Sequence, residues 1–429
     1  MRRTVSLKRA GGTETTEKAF WRFVHNDRVT EHELIATARA HLDGQVADRR
    51  VLAIQDTSEI NFSRHARSKA AFGRGGNGRD PAVVIHPLLA VDADAGHVLG
   101  LADVQFIERQ ATVGKRKVKP ERATEEKESQ RWITAAHRAA GLRAAGARSV
   151  TVVADREGDI FAAFAHRPPE VELLVRAQTD RSLTTDITLY AHLDRLAPAY
   201  EFILDMPAQP GRGARLVPMQ VRFDRVILKK PTNKDRDIAR EVALFVLDVR
   251  EIAPSDPKTA IHWRLLSTSP ITDRASAERA IADYRKRWHI EQLFRALKSQ
   301  GLDIEDSQIE TPDALRRLAI IALRASVLCL QLVHARDGTD TRPATVAFSA
   351  PDVDLLAVIA PTVDGRTERL RNPFPPRSLP WAAWIIARLG SWSGAKDDRP
   401  PGPITMHRGI QSFRDIAYGI MIAKNVSTQ

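Results

Sequence analysis

The residues best suited to chemistry in this chain are three carboxylates and a row of cations. Asp56 closes the apolar run Val51-Leu52-Ala53-Ile54-Gln55, and Asp155 closes Ser149–Ala154. Either one alone reads as a helix cap or a turn residue. As a pair they stand where α/β sheets place their sites, just past strand ends. Asp155 also opens a polar burst, Asp155-Arg156-Glu157-Gly158-Asp159, directly behind a buried strand. A third carboxylate, Glu291, shares a helical stretch with Tyr284, Arg287 and Lys298. At 100° per residue these four fall on one arc of about 60°, with Trp288 and Arg295 at its edge. A solvated helix face mixes charges at i,i+4 spacing. This face instead carries one acid, an aromatic pair and three cations, a composition suited to gripping phosphates around an embedded carboxylate. Three carboxylates offer oxygen donors that suit Mg2+ or Mn2+. Two such ions about 4 Å apart activate an attacking oxygen and stabilise a leaving one in phosphodiester chemistry.

Other motifs carry less. Gly73, Gly75 and Gly78 formally match G-x-G-x-x-G, but Asp80-Pro81 and a strand follow where a dinucleotide site needs a helix, so a flexible loop is expected. The sequence contains no G-x-x-x-x-G-K-[ST] and no H-E-x-x-H. Its one cysteine, Cys329, excludes an internal disulfide and a multi-cysteine zinc site, and Leu328-Cys329-Leu330 reads as core. Trp381 and Trp384 read as core or dimer contacts. Trp263, in Ile261-His262-Trp263-Arg264-Leu265, reads as a strand aromatic or as a stacking platform.

The elements that must position these residues follow from composition and pattern. With 429 residues, 43% hydrophobic, the chain can bury a large core in two or three domains. A net charge of +12 favours a polyanionic partner. No signal-peptide core opens the chain and no apolar run approaching 18 residues stands out, so a soluble, cytoplasmic, reduced protein is expected. Residues 1–50 read as helical. Val51–Ile54, Ala82–Val91 and His97–Ile107 read as three strands of an antiparallel meander. A helix is expected from about Thr124 to Ala145, then a strand at Ser149–Ala154 and a short helix near Asp159–Ala165. Residues 170–268 alternate strands with turns and include a basic hairpin, Lys229-Lys230 to Arg240. Long helical patterns cover Arg274–Gln300 and Pro312–Ala335. Residues 336–378 are proline-rich, with a helix near Asp352–Ile359. The tail 379–424 reads as helix, Pro-Gly linker, helix.

Together these residues resemble the RNase H-like DDE transposases of bacterial insertion sequences, in the branch with a Tyr-Arg-Glu-Lys signature, Y-x2-R-x3-E-x6-K. The chain has it as Tyr284, Arg287, Glu291 and Lys298. Ile54-Gln55-Asp56-Thr57-Ser58 is similar to the family's first-aspartate strand, and Ala154-Asp155-Arg156-Glu157-Gly158-Asp159-Ile160 to its second. Glu125-Glu126-Lys127-Glu128-Ser129 with Arg131-Trp132, and Ile386-Ala387-Arg388-Leu389-Gly390 with Pro401-Gly402, add local similarity, so that the resemblance covers about residues 10–424.

The resemblance implies an α/β fold: an RNase H-like mixed-sheet core with a β-rich insertion and helical N- and C-terminal regions. The expected divisions are 1–48, a shortened DNA-binding region; 49–335, the catalytic core with its insertion at about 170–260; and 336–429, a helical dimerisation region. It implies a catalytic triad of Asp56, Asp155 and Glu291 holding two Mg2+ or Mn2+ ions. Tyr284, Arg287 and Lys298 would contact phosphates near the transposon end, flanked by Trp288 and Arg295, and Trp263 would stack on a flipped base. The implied partners are transposon ends, target DNA and a second copy of the chain, with no membrane, in the bacterial cytoplasm beside the nucleoid. The implied reaction is cut and paste: nicking, hairpin formation, resolution and strand transfer. About ten residues precede the segment similar to the family, so weak discrimination of transposon ends is expected. Two other readings fit the same residues: a shortened, non-transposing inhibitor of a longer relative, and a structure-directed nuclease of the same fold.

Overall fold

The computed structural model describes residues 14–69, 71–107, 129–206, 213–232, 238–395 and 398–427. In chain order its first elements are α1 (Glu14–Val24), α2 (Glu31–Asp43), β1 (Arg50–Gln55), β2 (Ser58–Asn61), β3 (Ala82–Asp92) and β4 (Val98–Ile107). Then come α3 (Gln130–Ala144), β5 (Ser149–Ala154), α4 (Phe161–Ala165), β6 (Val171–Arg176), α5 (Leu189–Arg195), β7 (Tyr200–Met206), β8 (Arg215–Lys229), β9 (Glu241–Glu251) and β10 (His262–Ser267). The chain ends in helices α6 (Arg274–Arg285), α7 (Trp288–Lys298), α8 (Pro312–Ala335), α9 (Ala350–Val363), α10 (Leu379–Leu389) and α11 (Pro403–Ser427). The fold is mixed α/β with parallel and antiparallel strands and helices towards both ends of the chain, as an RNase H-like core requires. Two compact units form, one from Met1–Gln45, Thr57–Thr112 and His289–Gln429, the other from Val46–Asp56 and Val113–Trp288.

The second unit holds the strands β1-β5-β6-β10-β9-β8-β7 in that order. β1, β5 and β6 run parallel; β10, β9, β8 and β7 continue antiparallel. The parallel strands are nearly continuous apolar runs because both faces are covered. Helix α3 packs on all three through Trp132, Ile133, Ala136 and Ala139. Among its described residues the β-rich stretch contains a helix, α5, that the strand pattern of 170–268 concealed; Thr188 caps it by accepting from the Ala191 amide. The basic hairpin forms between β8 and β9, with Lys229 opposite Glu241; its tip, 233–237, lies outside the described residues. So do the charged segment 108–128, with the expected start of α3, and the first thirteen residues.

In the first unit β2, β3 and β4 form the antiparallel meander. The four-residue β2, too short and polar to show a period, is a strand that the sequence pattern did not show, and β1 pairs in parallel with β5. The glycine turn is braced: Gly76 donates to the Glu59 carboxylate at 2.6 Å, and Gly75 donates to the Asp80 carbonyl at 2.9 Å. Helix α8 has a mean hydropathy over an 18-residue window of 1.9, enough by length and composition to cross a membrane, against the expectation that no apolar run approached that length. Most of that window is buried within the protein, so the apolar character serves a core. Cys329 lies there, and burial pushes its thiol up to about 12. Trp381 and Trp384 on α10 are core as well, packed with Leu356, Met406 and Phe413. Of the two roles expected for them, core or dimer contact, they take the first. The exposed apolar residues of the tail are Tyr418, Met421 and Ile422 on α11.

Lys69 is fully buried in the first unit. Its ammonium lies 5.0 and 5.2 Å from the ring centres of Phe62 and Phe72 and donates to the Ile309 carbonyl. Burial drives its pKa down to about 8, outweighing the charge of Glu310. Between about pH 8 and 10.5 the unfolded chain therefore binds a proton that the folded chain lacks, so this group makes stability rise with pH over that window. We expect the unfolding free energy of the wild type minus that of Lys69→Met to rise by roughly 2–3 kcal/mol from pH 7 to pH 10. Denaturant titrations at both pH values measure it; a flat difference would mean the lysine keeps its ordinary pKa.

Candidate active site

Parallel pairing of β1 with β5 builds the centre of the site in the second unit. The register runs from Arg50↔Ser149 to Ile54↔Val153 with no shift. Asp56 and Asp155 each lie two residues beyond the last of these pairs, so both leave the sheet at one level. Neighbouring strands are about 4.8 Å apart, which puts the two acids side by side. Asp155 caps the short turn after β5, accepting from the Glu157 amide at 2.9 Å. Asp56 is 18% exposed and accepts from Arg287 Nη1 at 3.1 Å.

Aromatic and basic residues gather beside this pair. Tyr284, at the end of α6, is buried, and its ring lies 6.1 Å from that of Trp263 on β10 at a 58° tilt. Burial pushes the Tyr284 hydroxyl up, and the charge of Asp155 adds to this, against the pull of Arg287 and Arg176. Arg176, the last residue of β6, holds the Tyr284 hydroxyl and donates to the His262 carbonyl at 2.8 Å. Sequence reasoning missed Arg176. Its signal was the one that marked the aspartates, a charge closing a buried strand.

The single helix expected over Arg274–Gln300 is two helices. Lys286 and Arg287 form a turn, donating to the carbonyls of Asp283 and Tyr284, each three residues back. Neither Gly nor Pro causes the stop. Side chains do: Asp283 binds Arg50 at the start of β1 at 2.8 Å and Lys286 at 3.7 Å, Tyr284 packs on Trp263, and Arg287 reaches Asp56. The arc from Tyr284 to Lys298, drawn on one cylinder, is therefore not one helix face. Trp288, the first residue of α7, is 37% exposed.

Glu291, Arg295 and Lys298 form a stripe on α7, at i, i+4 and i+7, in the first unit. Glu291 is half-buried and Arg295 exposed. Lys298 is half-buried; its ammonium donates to the Glu59 carbonyl and lies 3.8 Å from Glu305. Burial lowers its pKa, with Glu305 and Glu59 opposing. Among the described residues no group of three or more His, Cys, Asp or Glu is gathered to hold a metal ion. The donor chemistry of Asp56 and Asp155 fits a hard cation, because both are carboxylates at the sheet edge and Asp56 already faces a positive charge.

The sequence pattern of a family described as Transposase DDE domain matches residues 82–328, more than half of the chain. The chain belongs to that family. The matched span holds Asp155, Trp263, Tyr284, Arg287, Glu291 and Lys298, and Asp56 precedes it. DNA is the partner that membership of this transposase family implies, and its enzymes generally use divalent metal ions.

In this transposase-family chain the Arg50–Asp283 pair ties the end of α6 to the start of β1. Asp283 is nearly buried, so removing its partner leaves a poorly solvated charge. We expect Arg50→Ala to cost about 2–4 kcal/mol and Arg50→Ala with Asp283→Ala to cost less than the sum of the singles. Denaturant unfolding of the four proteins tests this, and strict additivity would show that the pair does not couple.

Proposed function

We propose that the chain is a metal-dependent cut-and-paste DNA transposase of an insertion sequence, in the Tyr-Arg-Glu-Lys branch. The observation that carries this reading is the side-by-side exit of Asp56 and Asp155 from adjacent parallel strands, with Arg287 against Asp56. Asp56, Asp155 and Glu291 would hold two divalent ions, Mg2+ or Mn2+. When bound, such ions activate the attacking oxygen and stabilise the leaving one.

The chain's own residues position the DNA. Arg287, Tyr284 and Lys298 grip phosphates near the transposon end, with Trp288 and Arg295 beside them. Such contacts fix register but carry little sequence information. Trp263, half-buried beside Tyr284, supplies a face on which an extruded base stacks. The sequence of steps is nicking, attack of the freed 3′-hydroxyl to form a hairpin, resolution and strand transfer into target DNA. A second copy docks on the C-terminal region 336–429, where Tyr418, Met421 and Ile422 form an exposed apolar stripe at i, i+3 and i+4. The protein works in the cytoplasm on nucleoid DNA.

Asp56→Ala, Asp155→Ala and Glu291→Ala should each abolish Mg2+-dependent nicking of end-containing DNA while leaving the fold intact by circular dichroism. Nicking at near wild-type rate in any of them would remove that residue from the triad. Trp263→Ala should spare the first nick and slow hairpin formation about ten- to a hundredfold, since stacking is worth about 1–3 kcal/mol. Nicking by the wild type with no strand transfer would favour a structure-directed nuclease.

A further inference from the structure

A second polar cleft opens in the same unit, lined by Arg156, Arg176, Gln178, Tyr190, His262 and Arg264, with a volume of about 260 Å3. No carboxylate is among the residues that line it. Its positive charge is built on one buried acid. Asp248, on β9, is fully buried and accepts from His262 Nε2 and Arg250 Nε, both at 2.6 Å. Arg222 and Arg264 approach it at 3.8 and 3.7 Å. Burial alone would push the Asp248 carboxyl up; the bonds from His262 and Arg250 outweigh that and hold it below the usual range. One negative charge therefore faces three guanidinium groups and an imidazole.

The partners of these cations differ. Arg250 also binds Asp194 at 2.8 Å, and Arg222 also donates to the Leu196 carbonyl at 2.8 Å. Arg264 lies over the Tyr190 ring, its guanidinium carbon 3.9 Å from the ring centre. Its Nε is buried and donates to no acceptor among the described residues. Stacking fixes the plane of the guanidinium without using its in-plane donors. Strand alternation adds to this: His262 and Arg264 point to the face of β10 opposite Trp263. Arg156, exposed at the mouth of the cleft, directly follows Asp155 in the chain.

We propose that Arg264, presented by Tyr190 and backed by Asp248, forms with Arg156 and His262 a phosphate-binding subsite, adjoining the Tyr284–Arg287 group through Arg176, that takes a phosphate of the DNA backbone. A preoriented arginine fork matches phosphate oxygens bidentately. Three arginines and no carboxylate among the lining residues favour an anionic ligand, and Arg156, one residue past Asp155 in the chain, keeps the subsite close to the strand-end carboxylates. The proposal rests on the transposase reading for the identity of the DNA.

The test is DNA binding by the full chain across a salt series, followed by fluorescence anisotropy. Each lost phosphate contact should reduce the steepness of log K against log salt by about 0.9. Arg264→Gln and Arg156→Gln should each show that loss, and Arg264→Lys should recover most of the slope, because it restores the charge. Arg156 is exposed, so its variant tests the cleft even if Arg264→Gln fails to fold. Unchanged slopes in both glutamine variants, with a reduced slope in Arg287→Ala, would overturn the subsite and leave the transposase reading standing. A wild-type chain that does not bind DNA would sink that reading itself. Inorganic phosphate titrated into DNA-free protein at constant ionic strength separates the two sources of the group. Heat that disappears in Arg264→Gln would show that free phosphate suffices to fill the subsite. No heat, with the slopes reduced, would assign it to the DNA backbone alone.

Discussion

Two carboxylates that leave neighbouring parallel strands at one level repel each other, by about 1 kcal/mol in water and about 3 kcal/mol near a protein surface. The parallel pairing that creates this repulsion is firmly set. β1 and β5 are buried along almost their whole length, and a slip of one residue would turn every side chain to the other face. The surroundings of the two acids answer the charge instead. Arg287 lies on Asp56, a backbone amide binds Asp155, and Arg176 and Arg287 surround the buried Tyr284. The turn between α6 and α7, the order of the strands and the position of Trp263 all serve that arrangement.

The same unit uses the opposite construction behind β10. There one buried acid, Asp248, gathers Arg222, Arg250, His262 and Arg264. The strand-end pair is negative with cations at its border, and the cleft is positive with its carboxylate hidden. A polyanion with a reactive phosphodiester needs both kinds of field, one to hold the counter-ions of the chemistry and one to hold the backbone.

In the first unit the stripe of Glu291, Arg295 and Lys298 is held by local anchors. The Lys298 ammonium meets the Glu59 carbonyl and Glu305, and Glu305 also accepts from the Asn61 amide at 3.0 Å. The Glu59 side chain in turn braces the glycine turn. A loop that the sequence presented as flexible punctuation is tied, through Glu59, to Lys298.

Much of this was legible along the chain because it is local. β5 and α8 fall on their expected boundaries, since a buried run and a proline at the start of a helix act within a few residues of themselves. Asp56 and Asp155 were visible as charges closing apolar runs, and Glu291 and Lys298 as a spacing. What the sequence did not disclose depends on partners far away in it. The four residues of β2 have no period of their own, and α5 lay hidden among strands. The parallel partner of β1 is chosen by the sheet, 99 residues along the chain. The helix over Arg274–Gln300 stops at Arg285 with no breaker in its sequence, because Arg50 takes Asp283 across 233 residues and Asp56 takes Arg287 across 231. By itself the sequence determined which residues carry charge at strand ends and on helix faces. Only the tertiary structure decided which of them meet, because helical and strand periods are set by the backbone over a few residues, whereas pairing and helix termination are set by contacts the chain makes only once it has folded.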